Sequence, residues 1–489
     1  MSFTRHRRVY IRIAREYQFV TFFLLIMALF GFNDQPRAES TSTTLKVHAS
    51  NPRYFSDPYG RAVYLTGSHT WDNFLDWGGD RPNFDYFAYL KFLRDNGHNF
   101  IRLWVGTPRL EVNGEIFRSL QTPWQRPGPG IAKDGQLKFD LSLHNEDYFR
   151  RLRDRIIEAE KTGIYVSVML FNGLYDWDVS PFNLSNNINR IDGDKLKTGF
   201  GDEIFSLNNP DVLTVQKNYI RKVIDSVNDL NNVLYEVGNE IKGHSVDWQY
   251  HIIDFIHQYE KSKPKQHPVG MTGGGKGLRN IDLFNSPADW ISPRVEPGQD
   301  YSSDPPAATG GKVIINDTDH LAGVLENPTA EWVWKSFLRG LNPILMDVLQ
   351  NRSPGYEQKW NLPNRPGLAE TRQAMGQSRA YAERLDLAAM TPAGELVSTQ
   401  YCLANLGNEY LIYLPFSENR GIDQIFKRLG ITSSKITINL GSINGTFRLE
   451  WFNPKENAVI DGDEIIGGET KELKVPFSGD AVLYLYRKP

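Results

Sequence analysis

The sequence predicts an α/β fold, a (β/α)8 TIM barrel followed by a C-terminal antiparallel β-sandwich. Three observations carry that expectation. Eight short apolar, β-favouring runs lie between residues 62 and 347, most of them separated by helical spacings. Several of these runs stop abruptly on polar or charged residues, as buried parallel strands do where their ends emerge at a reactive face. Beyond Thr391 the pattern changes to short β-runs punctuated by Asn453-Pro454, Gly467-Gly468 and Gly479-Asp480, which reads as an appended sandwich. An open doubly wound sheet is the competing topology, but no glycine-rich phosphate fingerprint follows the first strand.

The elements follow in order. Leu45 to Asp57 reads as a short β lead-in after a polar linker. Ala62 to His69 is the first barrel strand, and Phe84, Phe87, Leu90 and Leu93 give helical spacing between Asn83 and Asn96, with Gly97 as the stop. Phe100 to Gly106 is the second strand, and a charged amphipathic helix runs from Asn145 to Lys161. Ile164 to Asn172, Val233 to Glu240, Pro268 to Thr272, Asp289 to Pro293, Lys312 to His320 and Asn342 to Asp347 supply the remaining strands. Helices are expected over 212–230, 247–261, 331–339 and 370–387. The sandwich strands are Tyr410–Leu414, Lys435–Asn439, Thr446–Trp451 and Ala481–Tyr486. The resulting division is a leader and linker over 1–40, a barrel over 45–390 and a β-sandwich over 391–489.

Composition narrows the function. The 489 residues suit a barrel plus a smaller module. A formal charge of -3 gives no reason to expect nucleic acid as a partner. The single cysteine, Cys402, excludes an intrachain disulfide and a cysteine metal site. Arg5, Arg7, Arg8, Arg12 and Arg15 precede the apolar run 19–32, which reads as a secretory signal and predicts an extracytoplasmic, secreted or periplasmic protein. An uncleaved N-terminal anchor, with membrane association, is the alternative.

The chemistry is expected at the strand ends. In Val233-Leu-Tyr-Glu-Val-Gly-Asn-Glu240, Glu240 projects into the barrel mouth, where partial burial favours its protonated form and lets it act as a general acid. Asn239 offers an amide to a substrate hydroxyl. Cleaving a glycosidic bond by the common route takes a second carboxyl. Asp317 and Asp319, in Asn316-Asp-Thr-Asp-His320, are the candidates, facing the same way if the strand runs through them. His320 is placed to orient either acid. Acids capping the next helix are the structural alternative. A divalent ion on the Asp-x-Asp-His cluster is a competing reading, which the want of a His-x-His pair disfavours, so no metal and no cofactor are expected. His69, Trp71 and Asp72 after the first strand, Arg102 and Trp104 on the second, and Asn172 at the end of the third complete a polar and aromatic ring. Arg102 is suited to hold a carboxylate ionised. Trp177 and Asn187, in the long loop after the third strand, are further substrate-binding candidates, although Asn183, Asn186 and Asn187 equally suit an irregular backbone.

These residues carry a family resemblance. Gly67-Ser-His-Thr-Trp71, Val237-Gly-Asn-Glu240, Asn316-Asp-Thr-Asp-His320 and Trp332-Val-Trp-Lys-Ser-Phe-Leu-Arg-Gly340 resemble the barrel of a clan A glycosidase-like family, similar to cellulases and β-mannanases. The tail, with Tyr401-Cys-Leu-Ala-Asn-Leu-Gly-Asn-Glu-Tyr410 and Trp451-Phe-Asn-Pro454, resembles a module named for the collagen-binding domain of a collagenase. The resemblance implies a retaining O-glycosyl hydrolase with a carbohydrate substrate and Glu240 as acid/base. The clan's nucleophilic glutamate on the seventh strand is missing here, and Asp317 and Asp319 stand in its place. A barrel that binds glycan or matrix without turnover is the alternative. No His-Glu-x-x-His motif supports a collagenase.

Overall fold

The computed structural model describes residues 44–71, 73–76, 84–104, 109–112, 115–118, 121–321, 329–347, 367–416 and 435–487. The leader, its linker and Asp72 lie outside them. Among the described residues, no helix is long and apolar enough to cross a membrane.

Eight parallel strands form the barrel: β1 (Gly67–His69), β2 (Phe100–Leu103), β3 (Tyr165–Asn172), β4 (Val233–Asn239), β5 (Val269–Thr272), β6 (Trp290–Ser292), β7 (Val313–Asp317) and β8 (Asn342–Met346). Each pairs with the next from β2 to β8, and β8 pairs with β1 through Ile344 and Gly67. The seam between β1 and β2 is bridged just before the strands begin, where the Asn99 amide donates to Thr66 O at 2.9 Å and Thr66 N to Asn99 Oδ1 at 2.9 Å.

The helices are α1 (Tyr86–Asp95), α2 (Glu146–Lys161), α3 (Pro210–Val227), α4 (Val246–Glu260), the short α5 (Asn280–Phe284), α6 (Ala330–Leu338) and α7 (Leu368–Arg384). Their starts are written locally. Asp85 accepts from Ala88 N, Asn145 from Asp147 N, and Thr329 Oγ1 from Trp332 N, each satisfying a backbone donor that the first turn leaves unpaired. Both faces of the sheet are covered, so β7 is buried at every position and its apolar run is continuous. Phe100, Leu234, Trp290, Val313 and Ile315 pack the lower barrel together with Leu45 and Phe55 of the lead-in.

Two strand boundaries differ from expectation. Ala62–Val63 belongs to a small antiparallel sheet with Lys46–Val47 and Phe55–Ser56, and only Gly67–His69 joins the barrel. β7 ends at Asp317, and Thr318–His320 is a 3-10 turn capped by Asp317 Oδ1, which accepts from Asp319 N at 3.0 Å. Asp317 and Asp319 therefore do not share a face by strand alternation, and it is the turn that brings both side chains to one partner.

The C-terminal part is a seven-stranded antiparallel sheet with a two-stranded layer, Lys435–Asn439 and Thr470–Lys474, over one face. Strand alternation sorts its side chains. Tyr410, Ile412, Leu483 and Leu485 pack against Ile436 and Ile438, whereas Leu411, Tyr413, Phe452 and Val482 join the barrel's core. Trp334 of α6 stacks on Tyr413 at 6.2 Å, and Tyr381 of α7 meets Phe452 edge-on at 5.5 Å. Arg384 adds a bidentate ion pair to Glu450, at 2.8 and 2.7 Å. Barrel and sandwich are accordingly one compact unit, Ser40–Pro489.

Candidate active site

At the mouth, the hub is Arg102 of β2, whose side chain is 1 % exposed. Its Nε and Nη2 donate to Glu236 at 2.9 and 2.5 Å, Nη2 also to Asn239 Oδ1 at 2.9 Å, and Nη1 to Asp317 Oδ2 at 2.9 Å and Asp319 Oδ2 at 3.1 Å. Burial works against its charge, but Glu236, Asp317 and Asp319 more than compensate and hold it as a cation. One guanidinium thus serves β2, β4 and β7.

Asp317 is sealed. Oδ1 accepts from His69 Nε2 at 3.0 Å as well as from the Asp319 amide, and Oδ2 accepts from Arg102. Burial pushes this carboxyl up, yet His69 and Arg102 outweigh burial and hold it well below the ordinary carboxylate range. The Trp104 indole N–H donates to His69 Nδ1 at 2.9 Å, so Nδ1 carries a lone pair and Nε2 the proton it gives to Asp317. Trp104 is buried with Met169 and Met346, with Trp71 half-buried against them.

Asp319 and Glu240 are the less confined acids. Burial raises Asp319 to about 8 against the pull of Arg102, with the neighbouring charges of Asp317 and Glu240 adding to the rise. Burial also raises Glu240, opposed by Arg102 and Arg294. β4 stops at Asn239, and Glu240 itself takes a φ of +50°, a left-handed conformation that bulky residues seldom adopt outside functional sites. Gly274 makes room for it, since a Cβ there would lie 2.8 Å from Glu240 Cγ and 3.2 Å from His320 Cδ2.

His320 is a spacer between these groups. Ser292 Oγ meets its Nδ1 at 2.8 Å and its Nε2 meets Asn239 Oδ1 at 3.2 Å. An amide oxygen only accepts, so Nε2 carries the proton and the serine hydroxyl donates to Nδ1. Burial, with Arg102 nearby, lowers His320 to about 3 and keeps it neutral. Because Asn239 Oδ1 accepts from both Arg102 and His320, the amide's NH2 is left pointing away from them.

The cluster does not suit a metal ion. Ligand atoms of Asp317, Asp319 and His320 lie within 4.8 Å of one another. However, both Asp317 oxygens and both His320 nitrogens already have partners, and the Arg102 guanidinium supplies the positive charge that an ion would bring.

The structure brings His69, Arg102, Trp104, Asn239, Asp317, Asp319 and His320 into one network, with Glu240 beside it. It places Asn187 elsewhere, a correction to the expected substrate-binding role. That amide is 2 % exposed and spent on backbone, donating to Pro181 O, Asn183 O and Ile191 O and accepting from Ile191 N. Trp177 lies in the same loop with its ring over Gly201, and it is not among the walls of the cavity at Glu240. Asn172 ends β3, where its Oδ1 closes a turn with Leu174 N at 2.9 Å. Glu236 and Ser292 were missed. A glutamate inside the apolar run of β4 was the available signal for the first, and nothing local marked the second.

The chain is thus a (β/α)8 barrel with an arginine-centred carboxylate cluster at the C-terminal ends of β2, β4 and β7. Residues 111–276 match the family described as "Domain of unknown function (DUF6298)". A comparison with curated protein sequences finds no match. Among solved structures, a protein titled "Glycoside hydrolase" shares the fold at TM-score 0.57 and 13% identity, over 91% of this chain and 97% of that one. A glycoside hydrolase family 5 protein from Bacteroides vulgatus ATCC 8482 does so at TM-score 0.56 and 15% identity, over 91% of this chain and 93% of its own. At these identities the likeness concerns the fold.

Proposed function

We propose that the protein is a glycoside hydrolase that cleaves an O-glycosidic bond with Glu240 as proton donor and Asp319 as the second carboxyl. One observation carries the reading. Four carboxyls, of Glu236, Asp317, Asp319 and Glu240, lie about a single buried guanidinium, and burial leaves Asp319 and Glu240 above the ordinary carboxylate range. Burial, to which the charges of Asp317 and Glu240 add at Asp319, favours a proton on that pair. A proton on Glu240 removes one of the charges that raise Asp319, so the singly protonated pair can present an acid and, against Arg102, a carboxylate. That is the complement the two-carboxylate route requires. Asp317, with both oxygens engaged, acts through Arg102 and His69 as a positioning residue. Retention of configuration, with Asp319 as nucleophile, is the stereochemistry we expect. The fold shared with proteins titled as glycoside hydrolases supports the class, and export, as the N-terminus leads one to expect, suits a polymeric substrate. We read the C-terminal sandwich as a brace for α6 and α7, because one apolar face is spent on them.

The test is turnover of an aryl-glycoside panel by the wild type, E240Q and D319N, with product anomers followed by NMR. Undiminished activity in E240Q sinks the assignment. The second reading is a glycan-binding barrel without turnover, favoured by an aspartate where clan relatives carry the longer glutamate. Tight binding on a glycan array with no hydrolysis of any bound sugar selects it.

A further inference from the structure

The proton donor opens onto a cavity of about 450 Å³, within the range of small-ligand sites. Its walls are Leu174, Glu240, a glycine-rich stretch after β5 and three cations, Lys242, Lys276 and Arg294. Only Lys242 is neutralised, by Asp202 at 2.8 Å. Among the described residues, Lys276 and Arg294 have no carboxylate partner, and the one side-chain hydrogen bond of Arg294 is a long contact from Nη1 to Gly275 O at 3.4 Å. A half-buried guanidinium is usually matched by a bidentate anion. Resting on the glycosidase reading, we infer that the sugar bound beside Glu240 carries an anionic group, a carboxylate or a sulfate ester, gripped by Arg294 and Lys276.

Both cations stand on fixed backbone. The buried side chain of Asn280 accepts from Arg294 N at 2.9 Å and donates to Arg294 O at 2.8 Å, clamping that residue from both sides. Gly243 N donates to Lys276 O at 3.0 Å, and a Cβ on Gly243 would come within 2.2 Å of Gly277 O. The loops after β4 and β5 are therefore pressed together, which lessens the ordering a ligand has to impose. Arg294 pulls on Glu240 without forming an ion pair with it, so its remaining donors stay available in the same space. An anion seated on Arg294 would mask that pull and help Glu240 keep its proton. A neutral sugar would offer no anion to the half-buried Arg294 or to the exposed Lys276 beside it.

The test is calorimetric binding of the full chain to uronate-containing, sulfated and neutral oligosaccharides, with hydrolysis followed in parallel. Acidic oligosaccharides should bind at least tenfold more tightly than neutral ones, and the carboxylate and sulfate arms identify the anion. R294Q and K276Q should each weaken acidic binding by roughly tenfold, with R294K recovering part of the loss. Circular dichroism confirms folding of the variants. Neutral sugars bound or hydrolysed as well as acidic ones, no binding of any acidic member, or unchanged acidic affinity in R294Q overturns the inference. Hydrolysis of neutral sugars leaves the glycosidase reading standing. Selective acidic binding with no turnover removes that reading and keeps the anion site.

Discussion

Asp317 and Asp319 accept hydrogen bonds from the same nitrogen, Nη1 of Arg102, at 2.9 and 3.1 Å, yet they are driven to opposite sides of the ordinary carboxylate range. Asp317 has further donors in His69 and the Asp319 amide. Asp319 has one donor, is buried, and feels two neighbouring acids. Proximity to the cation is equal, and the remaining surroundings decide.

Replacing each acid should separate structure from chemistry. D317N leaves Arg102 and His69 buried with a broken partner and should cost about 3 kcal/mol or more in urea unfolding. D319N should lower kcat/KM by roughly 10² to 10⁴ while leaving the unfolding midpoint near or above the wild type's. Equal destabilisation by both variants would remove the distinction drawn between them.

The sign of the pH effect on stability follows from Asp319. Its folded value, about 8, lies above the ordinary aspartate value of 3.8, so the folded state holds the proton more tightly. Its contribution is nil at low pH and becomes increasingly destabilising as pH rises through that window. The stability of D319N relative to the wild type should therefore grow from about pH 4 to about pH 8 and then level off. Parallel unfolding curves of the two proteins across that range would contradict it.

Activity should fall once the shared proton is lost. An alkaline limb near pH 8 is expected in the kcat/KM profile, reported as a property of the Glu240–Asp319 pair. The profile of D319N, measured on its residual activity, should have its alkaline limb at lower pH, because Glu240 then titrates without the neighbouring acid. A flat wild-type profile to pH 10 would show that no such proton matters.

The two histidines of the network should be visible by imidazole ¹⁵N NMR. Both should carry hydrogen on Nε2, because the Trp104 N–H holds His69 Nδ1 and the Ser292 hydroxyl holds His320 Nδ1. His320, lowered to about 3, should not titrate between pH 5 and pH 8. A protonated His320 at pH 6 would mean the network is wetter than described.

Trp334 is fully buried between α7 and the C-terminal sheet. W334A should cost about 3 to 5 kcal/mol and preserve a single cooperative transition. Two separated transitions, read by urea unfolding with different probes, would show that the sandwich and barrel fold apart.

The strands, the helices and the sandwich were legible because alternating apolar runs, caps and glycine stops are local properties. Val233 to Asn239 folds as a buried strand wherever both faces are covered, and its sequence says so. The position of Glu240 at the mouth follows from that strand's end, and the sequence marked it. What the sequence left open was which aspartate is free, because Asp317 and Asp319 are chemically identical and two residues apart.

The order of the eight strands, and three of the four acids near the mouth (Glu240, Asp317 and Asp319), could thus be read from the chain alone. Their roles were set by the closed fold. Burial, the reach of Arg102 from β2, the hidden Glu236 and the fixed tautomers of His69 and His320 are properties of groups far apart in the chain. Protonation responds to the field at a point in space, and that field exists only once the barrel has closed.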